Sequence, residues 1–310
     1  MEHISVLLEE TISLLNVRPD GIYVDATLGR GGHAGLLLKK LDHGHLYAID
    51  KDETALQESR INLAEYNDMV TYIHGDFRDI KSLLEEQGVQ EVDGIMMDLG
   101  VSSPQFDDPE RGFSYRYDAY LDMRMDRSQK KTAHDVVNQY AEDDLAAILR
   151  DYGEERYSKL IARKIAETRR KQPIHTTYEL VDVIRSALPE KELRKKGHPA
   201  KQTFQALRIE VNDELNTLQK GLSDSLTMLK IGGRCAVITF HSLEDRIVKK
   251  IFKDMSTAPF VDPRLPLKET QMEQASFSLV NKKVIVAAEE EQQTNHRSHS
   301  AKLRVIERIR

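Results

Sequence analysis

The stretch that decides the fold is Ile22-Tyr23-Val24-Asp25-Ala26-Thr27-Leu28-Gly29-Arg30-Gly31-Gly32-His33-Ala34-Gly35, continued by Leu36 to Leu41 and closed by His45-Leu46-Tyr47-Ala48-Ile49-Asp50. A short apolar run breaks into a Gly-rich turn, resumes as a Leu-rich helix and ends in a second apolar run with a terminal carboxylate. That is the pattern of one βαβ unit. Glycines at the turn let a ligand reach the backbone, and the first turn of the following helix offers unpaired N–H groups. Asp50 stands where a carboxylate at the second strand's end can accept both hydroxyls of a ribose. The unit reads as a nucleotide cradle.

Three readings of the turn are open. Gly29-x-Gly31-x-x-Ala34 fits the dinucleotide fingerprint with Ala in the last place, which would make the chain a nicotinamide or flavin enzyme. Asp25 followed by Gly29-Arg30-Gly31-Gly32 resembles the acidic-then-glycine first motif of S-adenosyl-L-methionine-dependent methyltransferases. An ordinary tight turn with no ligand is the third. The acid at the end of the first strand favours the methyltransferase over the dehydrogenase.

Outward from this unit, Val6 to Leu15 is an amphipathic helix, and Asp52 to Tyr66 is the helix after the second strand. Val70 to Ile73 is a third strand ending at His74-Gly75-Asp76-Phe77, Ile80 to Gln87 the next helix, and Val92 to Gly100 a fourth strand. Repeated strand and helix segments predict a doubly wound, mostly parallel α/β sheet. Ligands bind at the carboxyl ends of such a sheet, so Gly29 to His33, Asp50, Asp76-Phe77 and Asp98 to Gln105 should share one crevice. Phe77 suits an adenine ring or the core.

From Gln105 to Asn212 the strand signal stops and helical periodicity takes over, in segments Ala133 to Tyr140, Glu142 to Asp151, Glu155 to Arg170, Thr177 to Leu188 and Thr203 to Leu218. This predicts an all-α domain at 105–212, inserted in an α/β domain made of 1–104 and 213–310. Between Arg150 and Lys201 fourteen Lys/Arg face eight Asp/Glu, a net +6 in a chain of formal charge −6. The densest clusters, Arg169-Arg170-Lys171 and Arg194-Lys195-Lys196, read as solvated helix faces taken singly. Beside a nucleotide crevice they read as a phosphate footprint. Cys235 to Phe240 is a later strand, Asp254 to Ser278 a surface loop, and Lys282 to Ala288 with Leu303 to Ile309 a closing pair of strands.

With 310 residues, 40% hydrophobic and 31% charged, the composition is that of a globular protein. No 18-residue apolar run or signal pattern is visible, which predicts a cytoplasmic protein without a membrane partner. The single cysteine, Cys235, lies in an apolar run and reads as a small buried side chain; no Cys/His set has zinc spacing, so no metal is expected.

The rest of the chain carries longer motifs. Asp98-Leu99-Gly100-Val101-Ser102-Ser103-Pro104-Gln105 is followed by Arg111-Gly112-Phe113-Ser114-Tyr115 and Leu121-Asp122-Met123-Arg124-Met125-Asp126. Further on stand Gly197-His198-Pro199-Ala200-Lys201 with Phe204 to Ile209, Asn212-Asp213-Glu214-Leu215, Thr239-Phe240-His241-Ser242-Leu243-Glu244-Asp245-Arg246 and Ser300-Ala301-Lys302-Leu303-Arg304. Together they resemble the RsmH/MraW family over essentially the full length. The resemblance implies a class I methyltransferase sheet, S-adenosyl-L-methionine as methyl donor, and transfer to N4 of a cytidine in small-subunit (16S) ribosomal RNA, within a small-subunit particle. It implies cofactor contacts at Gly31, Gly32, His33, Asp50, Phe77, Asp98 and Gln105, with Asp98 also the catalytic candidate. One departure is His299, in a stretch where the family usually carries Arg. An RNA-binding assembly factor with a degenerate cofactor site is the reading from a different class; the intact loop and both carboxylates argue against it.

Overall fold

A computed structural model of the chain describes residues 5–101, 105–106, 108–258 and 274–310. The chain divides into two compact units, Met1–Gly100 with Leu215–Arg310, and Val101–Glu214 between them in sequence.

Among the described residues the first unit has seven strands: β1 (Ile22–Asp25), β2 (His45–Asp50), β3 (Val70–His74), β4 (Val92–Asp98), β5 (Leu229–Thr239), β6 (Phe277–Leu279) and β7 (Lys302–Arg308). They run in the order β3-β2-β1-β4-β5-β7-β6. β1 to β5 are mutually parallel, while β7 pairs antiparallel with both β5 and β6. Among the described residues the helices of this unit are α1 (Leu8–Leu15), α2 (Gly32–Leu38), α3 (Glu53–Asn62), α4 (Ile80–Glu86) and α11 (Glu214–Thr227) before β5, and α12 (Ser242–Met255) and α13 (Glu289–Thr294) after it.

Strand residues alternate between the two faces, as period-2 geometry requires. Tyr23, Leu46, Met96, Ala236 and Val305 belong to one buried cluster with α1 and α2. Val24, Ile49, Ile95, Met97, Cys235 and Val237 belong to the other, with α4, α12 and Leu218, Leu222 and Leu226 of α11 (Glu214–Thr227). Both faces are covered, which is why these strands read as nearly continuous apolar runs. Cys235 is wholly buried, and burial pushes its thiol up to about 12, so it stays neutral.

The second unit holds α5 (Ala133–Gln139), α6 (Glu142–Asp151), α7 (Ser158–Arg169), α8 (Thr177–Ala187), α9 (Glu190–Leu193) and α10 (Lys201–Asn212), packed around a core of its own that includes Leu145, Leu149, Ile161, Ile165, Leu180 and Leu207. The segment Arg111 to Asp126 is knitted by side chains. Arg111 donates to the carbonyls of Arg124 and Met125, both at 3.0 Å, and Arg124 forms a bidentate pair with Asp122. Buried Asn212 accepts from Met125 N at 2.8 Å and donates to the Met123 and Arg208 carbonyls, also at 2.8 Å. Asn212→Ala should cost about 2 kcal/mol, because it orphans buried backbone groups. Urea denaturation would show it, and an unchanged midpoint would mean water replaces the amide.

Several sequence expectations change. The helix expected over Thr203 to Leu218 is two, α10 and α11, separated at Asp213, which takes a left-handed φ of 49°. The pattern ran on because Asp is among the few residues that tolerate that conformation without a glycine. Lys282 to Ala288 is not a strand; its backbone joins β7 at the Ile285↔Leu303 bridge, and the strand paired with β7 on that side is β6. Leu303 to Ile309 lies close to the observed β7. Of the expected loop Asp254 to Ser278, residues 259–273 lie outside the described residues, and so do Ser102-Ser103-Pro104.

Candidate functional site

The carboxyl ends of β1, β2 and β4 each carry an aspartate. In register, Asp25 stands opposite Ala48 and Met96, so Asp50 and Asp98 each lie two residues beyond its partners. The strand order reverses between β1 and β4, which is where ligands bind in open α/β sheets. The turn after β1 is stitched to both neighbours: Ala26 N donates to the Met96 carbonyl and Leu28 N to the Ile49 carbonyl, each at 3.0 Å. The Thr27 hydroxyl oxygen accepts from Asp98 N at 2.6 Å.

Asp50 is held by two backbone donors. Gly29 N reaches one oxygen and Asp52 N the other, both at 2.8 Å. A carboxylate oxygen accepts more than one bond, so both retain a lone pair in a fixed direction. Burial raises the pKa of this carboxyl, and the two N–H groups offset only part of that.

The glycines divide by role. A Cβ on Gly29, at φ +53°, would meet nothing closer than the Thr27 carbonyl at 4.0 Å, so this backbone faces open space. At Gly32 it would lie 1.9 Å from the Ser5 hydroxyl, and at Gly31 2.9 Å from Leu63. Those two are glycines because the protein packs against them, whatever the ligand requires. Gly31 N donates to the Leu28 carbonyl at 2.8 Å, and the N–H of Gly32 begins α2, whose N-cap makes no side-chain hydrogen bond.

His33 is buried, with Nε2 3.1 Å from the Val6 carbonyl and Nδ1 3.8 Å from Asp98 Oδ2. A carbonyl only accepts, so Nε2 carries the hydrogen shared with Val6 and Nδ1 is the ring nitrogen that faces Asp98. Phe77 begins a 3₁₀ turn and is half-buried; a Cβ on Gly221 of α11 would lie 2.6 Å from its ring. One side of that ring is therefore packed on a helix. Gln105 lies in the second unit and is buried.

Asp25 is nearly inaccessible, accepts from Thr27 N at 3.1 Å, and has its pKa raised to about 8. Burial is the main cause, opposed by that N–H and reinforced by the charges of Asp98 and Asp50. At neutral pH Asp25 therefore carries its proton. An unfolded aspartate ionises near pH 4, so from there to about pH 8 the folded state binds the extra proton and stability falls as pH rises. The contribution is at most about 1.4 kcal/mol per pH unit. Asp25→Asn should flatten this slope in cofactor-free urea denaturation between pH 5 and 8; equal slopes would place an ionised Asp25 in the folded protein.

Two motifs that carried the family resemblance meet each other. Asp245 of α12 accepts from Arg304 Nε at 2.7 Å and from Lys302 Nζ at 3.2 Å. Burial raises the Asp245 carboxyl, but these bonds outweigh it and leave the pKa low. Glu244, also buried, accepts from Phe240 N and His241 N and closes the N-terminus of α12. Asp245 thus ties α12 to β7, while Glu244 caps its own helix.

The basic clusters are thinner than the sequence suggests. Arg169 turns inward and donates to the Val137 and Tyr140 carbonyls, closing the C-terminus of α5. Just past the end of α9, Arg194 pairs with Glu190 and Lys195 with Glu192. His299 contacts Gln292 at 3.2 Å and stacks on His296.

Strand order, the antiparallel β7 between β5 and β6, and a Gly-rich turn between acid-tipped strands define a class I methyltransferase fold. The dinucleotide fold runs 3-2-1-4-5-6, without the antiparallel insertion. The dehydrogenase reading ends there. The family model described as "MraW methylase family" matches residues 1–309, and the chain belongs to that family. It is 51% identical over 310 residues to the "Ribosomal RNA small subunit methyltransferase H" of Limosilactobacillus fermentum, covering 99% of this chain and 98% of the relative. It is 52% identical over 311 residues to the protein so named in Streptococcus dysgalactiae subsp. equisimilis, with the same coverage. Among solved structures, an rRNA methylase from Streptococcus thermophilus aligns over 100% of both chains with a TM-score of 0.44 and 12% identity.

Proposed function

We propose that the chain transfers a methyl group from S-adenosyl-L-methionine to the exocyclic N4 amine of a cytidine in small-subunit ribosomal RNA. The observation that carries this reading is the near-full-length identity to two relatives named for methylation of that RNA.

The residues fit the cofactor. The lone pairs of Asp50 suit the two ribose hydroxyls, Gly29 leaves its Cβ side open, and the accessible part of Phe77 suits the adenine. The α2 N-terminus at Gly32, with His33, suits the amino-acid end, to which the family resemblance also assigns Gly31 and Gln105. When bound, S-adenosyl-L-methionine supplies an electrophilic methyl on a positively charged sulfur. The carboxylates of Asp50 and Asp98 favour that charge, and protonation of Asp25 removes a third negative charge from beside them.

The cytosine N4 lone pair is delocalised into the ring, so the amine is a weak nucleophile that a base cannot simply deprotonate at neutral pH. Asp98 is the acceptor for its hydrogens, with the carbonyl of Gly100 or Val101 as second acceptor. Thr27 holds the Asp98 backbone and His33 lies beside its carboxylate. Fixing the amine in line with the methyl can lower the barrier by up to about 7–11 kcal/mol. The Val101–Glu214 unit recognises the RNA. RNA from cells with and without the gene, compared by mass spectrometry, should differ by one N4-methyl group on one small-subunit cytidine. Identical spectra would reject the assignment.

A further inference from the structure

The second unit carries an aromatic ledge that the methyl-transfer site does not use. Residues 115–121 run antiparallel to the entry of α8. Tyr120 bridges Thr176, Leu121 N donates to the His175 carbonyl at 3.0 Å, and Thr177 N donates to the Ala119 carbonyl at 2.8 Å. The Thr177 hydroxyl, fully buried, donates to the Tyr117 carbonyl at 2.6 Å. The backbone of this ledge is thus held from both sides.

Three tyrosines stand on it half exposed: Tyr117 at 48%, Tyr120 at 48% and Tyr178 at 46%. Two have their rings ordered in advance. The Tyr178 hydroxyl donates to the Arg116 carbonyl at 2.9 Å. Tyr120 stacks on His134 at 5.4 Å, which stacks in turn on His175 at 5.2 Å. Pre-ordered aromatic rings bind at low entropic cost.

The charge nearby is positive. Arg116 and Arg185 are both exposed, and neither has an ion pair among the described residues. Both lie close enough to His198, itself stacked on Tyr115 at 4.1 Å and 7°, to disfavour its protonation after burial has done so. The acids of the ledge are occupied by backbone: Asp118 accepts from Tyr178 N, and Glu179 from His175 N and Thr176 N. Asp182 shares α8 with Arg185 without pairing with it among the described residues.

Flat π faces beside free guanidinium groups match unpaired bases joined by phosphates. A duplex hides its base faces and would use only the cations. We infer that the ledge formed by Tyr117, Tyr120 and Tyr178 with Arg116 and Arg185 is a stacking platform for single-stranded RNA. The inference rests on the RNA substrate proposed above and adds which form of RNA is held, and by what.

The test measures binding of the full-length protein to a single-stranded oligoribonucleotide and to the same sequence in a duplex, with S-adenosyl-L-methionine affinity by calorimetry as the control for folding. Tyr120→Ala and Tyr178→Ala should each weaken single-strand binding about five- to a hundredfold, with the duplex and the cofactor unaffected. Tyr120→Phe should restore it and Tyr178→Phe should restore most of it, since the ring stacks and the Tyr178 hydroxyl only orders the ring through the Arg116 carbonyl. Arg116→Ala and Arg185→Ala should each flatten the log–log salt dependence by about 0.7. Wild-type affinity in the alanine variants, or equal losses for single strand and duplex, would overturn the platform while leaving the methyltransferase assignment standing. Variants that bind naked RNA normally but fail to modify ribosomal particles would overturn it in favour of a protein partner. A wild-type enzyme that neither binds nor methylates RNA would remove the functional reading and the platform together.

Discussion

Asp98→Asn should lower turnover by about 10²-fold or more while weakening the affinity for S-adenosyl-L-methionine by a much smaller factor. The substitution keeps the shape and one acceptor oxygen and removes the charge. At about 1.36 kcal/mol per factor of ten, that corresponds to roughly 2.7 kcal/mol of transition-state stabilisation, the scale of one charge-assisted hydrogen bond. As N4 attacks the methyl, positive charge develops on the amine. A carboxylate at the end of β4, its backbone fixed by the 2.6 Å bond to Thr27, meets that charge without rearranging. Single-turnover rates at saturating cofactor, beside calorimetric affinities, separate the two roles open to Asp98. Weakened cofactor binding with near-normal turnover would make it an anchor, and near-normal values of both would leave it neither role.

Asp50→Ala should weaken S-adenosyl-L-methionine binding by about 10²-fold or more. Two charge-assisted hydrogen bonds to ribose hydroxyls are worth roughly 1.5–3 kcal/mol each, and they are lost together. The Gly29 and Asp52 amides that hold the carboxylate lose their acceptor as well, so the turn after β1 loosens with the contact. Asp50→Asn is the control: it can keep the acceptor for one amide and so should restore part of the turn without restoring the charge. Because burial raises the Asp50 pKa, cofactor affinity should also begin to fall at a higher pH on acidification than for an ordinary aspartate. Calorimetry over that range checks both, and unchanged affinity in Asp50→Ala would take this residue out of the site.

The cradle was legible in the sequence because everything that defines it is local. A strand, a Gly-rich turn, a helix and a second acid-tipped strand fall within the 29 residues from Ile22 to Asp50, and period-2 and period-3.6 patterns announce each piece. Strand ends carry ligands in such a sheet, so Asp50 and Asp98 could be named as candidates before any contact was known. The family motifs likewise pointed to methyl transfer along the whole chain. What the tertiary structure alone decided are the partners. The inward turn of Arg169 onto the Val137 and Tyr140 carbonyls, the pairing of Asp245 with Lys302 and Arg304, and the packing of Gly32 against Ser5 join residues 27 to 59 positions apart. No local pattern encodes such pairs. The break at Asp213 and the choice of β6 over Lys282 to Ala288 as the edge strand are of the same kind, since a helical run and an apolar run continue past the point where packing interrupts them. The proton on Asp25 follows from burial and from two neighbouring carboxylates, and so exists only once β1, β2 and β4 lie side by side.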